Sequence, residues 1–116
     1  MTQNEVYLEL SSGLAASGTA RAAMTNQFGG MDAGRLVDLR MAVAALVTNS
    51  TRAQSGSIHV HIWEGSNHQM HGEVRDGGAG AESLRQKVES GRAGLQVLDA
   101  VTSDWGVTDG IAWFLV

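Results

Sequence analysis

Residues 5–10, EVYLEL, alternate between apolar and polar. Val6, Leu8 and Leu10 fall on one side and Tyr7 and Glu9 on the other, the pattern of a half-buried strand. From about residue 14 the period changes: Ala20, Ala23, Met24 and Phe28 recur at helical spacing, and Gly29-Gly30 supplies a stop. Asp32 then offers an N-cap, and the segment to about residue 54 carries the clearest helical pattern in the chain. Leu36, Leu39, Val43, Leu46 and Ser50 follow one face, with Val47 beside them. Ala42, Ala45, Asn49 and Arg52 form a second strip next to it. The polar Asn49 is thereby placed at the edge of the core.

Residues 57–64, SIHVHIWE, and 68–75, HQMHGEVR, alternate again, with residues 64–67 as the turn. A register pairing Ile58 with Val74, Val60 with Gly72 and Ile62 with Met70 gathers the apolar side chains on one face and sets His61 opposite His71 on the other. Asp76-Gly77-Gly78-Ala79-Gly80 follows directly after this strand. Residues 81–90 are polar and without clear period. Residues 94–103 resume a helical pattern through Leu95, Leu98 and Val101, and two strands follow, around 105–107 and 111–116. The order strand, helix, helix, hairpin, loop, helix, hairpin predicts an α+β fold: a two-layer sandwich of a mainly antiparallel, mixed sheet with three helices on one face.

The 116 residues predict a single domain over 1–116. With 43% hydrophobic and 17% charged residues the chain is too apolar for disorder, and its low charge points to a surface that meets a partner. A net charge of −4 and a lone lysine, Lys87, argue against nucleic-acid and membrane-surface binding. The absence of cysteine excludes thiol nucleophiles, disulfides and zinc–thiolate sites, and makes the cytoplasm the simplest location. MTQNEVYLEL has no basic leader, so no signal peptide is expected, and no apolar run approaches the ~20 residues of a membrane span.

Three glycine- or asparagine-bearing boxes stand in order: AVAALVTNSTRA on the strong helix, GEVRDGGAG at a strand end, and GRAGLQVLDAVTSDWGV entering the last helix. Together with the terminal AWFLV, they resemble the N, G1 and G2 boxes of the histidine-kinase-like (GHKL) ATPase superfamily. The likeness is strongest to its small bacterial branch, the anti-sigma-factor serine/threonine kinases. It runs from about Val6 to Val116. It implies the Bergerat fold, ATP and Mg²⁺ as cofactors, and a sigma factor or an anti-sigma-factor antagonist as partner, with a homodimer as one assembly it allows. It further implies that residues between Gly80 and Gly91 form a mobile lid over the nucleotide.

Each box has a physical reading beside the resemblance. Asp76-Gly77 alone is an ordinary turn sequence; at a strand end, the Asp76 carboxylate can accept from the adenine amino group while Gly78 and Gly80 let backbone approach the ring. Asn49 can offer its amide oxygen to Mg²⁺, which fills the rest of its octahedron with water and phosphate. Gly91 and Gly94 would bring amide N–H groups at a helix start to phosphate oxygens.

The departures concern chemistry. Ala45 stands where the family's N box carries a glutamate one turn before the asparagine, so no general base is available, a loss typically of about 10²–10⁴ in rate. Ala93 precedes Gly94, and Ile111 stands where the last strand often has threonine. The expectation is an ATP-binding regulator with weak or absent kinase activity. The alternative is a non-catalytic interaction module of the same fold with weak or no nucleotide binding. A third reading, an ATPase domain serving a separate histidine kinase, lacks any dimerisation helix or phosphoacceptor motif to support it. His59, His61 and His71 share one sheet face. They suit either a metal or, with Tyr7 and Trp63 beside them, a protein contact.

Overall fold

The structure is a computed structural model that describes residues 4–53, 56–92 and 95–116. Five strands, β1 (Glu5–Ser11), β2 (Ser57–Glu64), β3 (Met70–Arg75), β4 (Asp104–Thr108) and β5 (Ile111–Leu115), form one sheet in the order β1-β2-β3-β5-β4. Among the described residues, four α-helices accompany it: α1 (Ala16–Phe28), α2 (Ala33–Ala53), α3 (Ala79–Glu89) and α4 (Gln96–Val101). This is the expected α+β sandwich. Its sheet is antiparallel at every neighbouring pair, because β5 lies between β3 and β4, the two that run in the same direction.

Alternation does what the sequence pattern requires. Ile58, Val60, Ile62, Met70, Val74, Ala112 and Phe114 all point to one face and are buried in a single core with residues of the helices, among them Met24, Val43, Leu84 and Leu98. On α2 the buried strip is Leu39, Ala42, Val43, Leu46, Val47, Asn49 and Ser50, so the two predicted strips merge into one. Asp32 caps α2 as expected, its Oδ2 accepting from the Arg35 amide at 3.1 Å. Arg35 in turn donates to the carbonyls of His68 (2.6 Å) and Val116 (3.1 Å), tying the start of α2 to the sheet end.

Two expectations are corrected. The β2–β3 register is Val60 with Val74, Ile62 with Gly72 and Glu64 with Met70, two residues from the predicted pairing. The cause lies in the connection: Ser66–His68 coil into a 3-10 turn in which Asn67 and His68 take positive φ, and this absorbs the residues assigned to the start of β3. A two-residue shift preserves both faces, but it sets His61 opposite Glu73 and Trp63 opposite His71. The second correction is α3. The segment read as an aperiodic polar loop is a helix of three turns whose Gly80, Ala81 and Leu84 are buried, packed on α2. The helical layer therefore has four members rather than three.

Candidate functional site

Asp76 follows the last residue of β3 and is buried. Its Oδ1 accepts from the Gly78 amide at 3.0 Å and its Oδ2 from the Gly80 amide at 2.8 Å. Gly78, at φ +107°, occupies the N-cap of α3 and has no side chain to cap with. The carboxylate two residues upstream takes that duty and places a negative charge at the positive end of the helix.

Asn49 is buried on α2 and faces the same turn. Its Nδ2 donates to the Gly80 carbonyl at 2.8 Å, while its Oδ1 accepts from Ser83 Oγ at 3.2 Å and from Lys87 Nζ at 3.1 Å. The site asparagine is thus engaged at both ends by α3. Gly80 lies so close to its neighbours that a Cβ there would collide with the Asp76 carboxylate and come within 2.6 Å of Ser50 Oγ. Only glycine fits between the two boxes.

Gly91 is placed differently from the expectation. At φ +100° it follows the α3 C-cap, donating to the Val88 carbonyl, while Arg92 N–H donates to the Lys87 carbonyl at 2.7 Å. That is a Schellman stop for α3. The last helix begins only at Gln96 and has six residues. Gly94 lies outside the described residues.

Beside Asn49, between α2, α3 and α4, is a cavity of about 340 Å³. Ala45, Asn49 and Arg52 line it from α2, Lys87 from α3, Arg21 from α1 and Leu98 from α4. Among the described residues, three cations and no carboxylate face it. Ala45 contributes only a methyl group to the lining, and Asp38, the acid earlier on α2, does not reach the cavity. Asp76 is outside its lining, separated from it by the Gly80 turn.

The residues that sequence reasoning missed are Lys87, Ser83, Ser50 and Arg21. A signal existed for two of them: Ser83 and Lys87 recur at helical spacing from the expected Gly80, so one face of α3 carries all the groups that meet Asn49.

On the open face of the sheet, His61 stacks on Tyr7 (centroids 3.8 Å apart) and on Trp63 (4.5 Å), and Trp63 stacks on His71 (5.1 Å). His61 Nε2 lies 3.0 Å from Glu5 Oε2. Among the described residues, no group of three histidines or acids is placed to hold a metal ion. At the other edge, Asp99 accepts from Trp105 Nε1 (2.9 Å) and Arg92 (2.6 Å). These two hydrogen bonds hold its carboxyl below the usual aspartate range.

No family model matches the chain, and no curated protein matches it in sequence. Among solved structures, it is similar to the crystal structure of the RsbU and RsbW domains of Rv1364c from Mycobacterium tuberculosis, with a TM-score of 0.71 at 18% identity. The match covers 97% of this chain and 31% of that one, so the chain spans about a third of that structure's length. No described helix is long and apolar enough to cross a membrane. The chain therefore shares its fold, over nearly its whole length, with part of a structure containing RsbU and RsbW domains, and that fold is the one its three boxes resemble.

Proposed function

We propose that this is an ATP-binding regulatory domain of the anti-sigma-factor kinase type that has lost most or all phosphoryl transfer and acts by contact with a protein partner in the cytoplasm. The observation that carries the reading is the cavity beside Asn49, lined by Arg21, Arg52 and Lys87 and by no described carboxylate. A polyphosphate finds opposite charge there, and a hydroxyl to be phosphorylated finds no base. The adenine end fits Asp76: each of its oxygens takes one backbone N–H and keeps a further lone pair for the exocyclic amine. Gly78, whose side-chain position is open space, leaves the approach free there, Gly80 lets backbone lie directly on the carboxylate, and by resemblance Gly91 and Gly94 belong to the phosphate end.

Magnesium fits less well. The Asn49 oxygen that would hold it already accepts from Lys87 and Ser83. When bound, Mg²⁺ would neutralise phosphate charge; in this arrangement the cations of α1, α2 and α3 serve that end. The partner class, a sigma factor or an anti-sigma-factor antagonist, is the one the sequence resemblance implies, and the shared fold is compatible with it. Equilibrium titration with ATP tests the reading. Micromolar to submillimolar binding is expected, and no binding at millimolar ATP would sink it.

A second reading, an interaction module that works without nucleotide, is favoured by the open-face stack, where Tyr7 is 70% exposed. Partner capture unaffected by ATP, by Tyr7→Ala-sensitive binding, would support that reading over the first.

A further inference from the structure

We infer that Lys87 stands where a divalent cation would, making this a site for nucleoside polyphosphates free of metal. The inference rests on the nucleotide reading above and sharpens it. Lys87 Nζ is 3.1 Å from Asn49 Oδ1, and Ser83 Oγ is 3.2 Å from the same atom. An amide oxygen has two lone pairs, and both are used. Mg²⁺ takes its oxygen ligands at about 2.1 Å, so an ion on Oδ1 would have to displace both donors or lie within roughly 5 Å of the ammonium. Lys87 is half-buried, where solvent screens such repulsion poorly.

The surroundings point the same way. Ala45 removes the acid that would offset a second cation, and Arg21 and Arg52 line the same cavity. The site already holds the positive charge that a metal brings to a polyphosphate. The position of Lys87 is also fixed from behind: its carbonyl accepts from Arg92 in the Schellman turn that ends α3, so the side chain leaves a helix end of defined geometry.

The test compares ATP binding by the whole chain in excess EDTA and in excess Mg²⁺, by calorimetry. Metal-free ATP is expected to bind at least as tightly as the magnesium complex. Lys87→Gln keeps a donor for Asn49 and removes the charge; it should weaken metal-free binding by roughly 10-fold or more, with Mg²⁺ recovering part of the loss. Lys87→Arg, which keeps the charge, should retain metal-free binding. Wild-type binding that requires Mg²⁺ would overturn the inference and leave the nucleotide reading standing. Metal-free affinity within twofold of wild type in a folded Lys87→Gln variant would overturn it as well. No binding in either buffer would remove both. The wild-type comparison decides the matter even if the glutamine variant does not fold.

Discussion

Asn49 and Asp76 are joined through a single residue. Gly80 N–H donates to the Asp76 carboxylate at 2.8 Å, and the Gly80 carbonyl accepts from the Asn49 amide at 2.8 Å. The helix box and the strand-end box are therefore held in register by backbone, and any nucleotide that meets both must fit around this turn.

Gly80→Ala inserts a methyl group into the Asp76 carboxylate and the Ser50 hydroxyl. Overpacking of a tight contact costs about 1–3 kcal/mol. A loss of about 2 kcal/mol is expected in urea unfolding, together with weaker ATP binding. A variant as stable as wild type would show that α3 does not sit where the structure places it.

Asp76→Asn leaves one oxygen and turns an amino group towards a backbone N–H or towards the adenine amine. A lost hydrogen bond to a charged acceptor is worth about 1.5–3 kcal/mol, so ATP affinity should fall roughly 10- to 150-fold. Calorimetry on protein with an unaltered circular dichroism spectrum checks this. Unchanged affinity would assign Asp76 to capping α3 alone.

Ala45→Glu places a carboxylate one turn before Asn49, in the cavity that Lys87 also lines. Labelled-phosphate transfer to a cognate partner, measured with Mg²⁺, should rise at least ~10-fold from a low starting level. Asn49→Ala in the same background should abolish the gain. Robust transfer by the wild type would instead show that the alanine is tolerated. No gain with ATP still bound would place the defect at Ala93 or Ile111.

The Asp99 carboxyl gives a pH dependence with a definite sign. Its folded value is depressed, first by the Trp105 hydrogen bond and then by Arg92. The stabilisation is therefore complete above the ordinary aspartate value and is lost as pH falls through the lower folded one. Thermal melts of wild type and Asp99→Asn should converge as pH is lowered below about 4. Equal spacing of the two curves at all pH values would contradict the assignment.

What the sequence made legible followed from long, regular patterns. The alternation of 57–64 and the strips of α2 led to the right faces, and the Asp32 cap stands where read. The failures have local causes. Helix α3 has a narrow apolar strip, Ala81, Leu84 and the 40%-exposed Val88, after three glycines, too little for periodicity to register. The hairpin register was lost to two left-handed residues, Asn67 and His68, neither of them glycine. At the site, the residue types and order of the boxes were readable. The meeting of Asn49 with Lys87 was not, because it depends on how α3 seats on α2.

The chain leaves the sheet after Arg75 and re-enters it at Asp104, yet β3 and β5 lie side by side. Everything between is an excursion whose two ends are pinned by the sheet. For a flexible insertion, closure entropy grows only logarithmically, and doubling the length costs about 0.6 kcal/mol. A change of length between α3 and α4 consequently leaves every strand pairing in place, whereas one inside either helix would displace the buried Leu84 or Leu98. A longer or shorter cover over the cavity is accessible by insertion or deletion alone, without re-pairing a single strand.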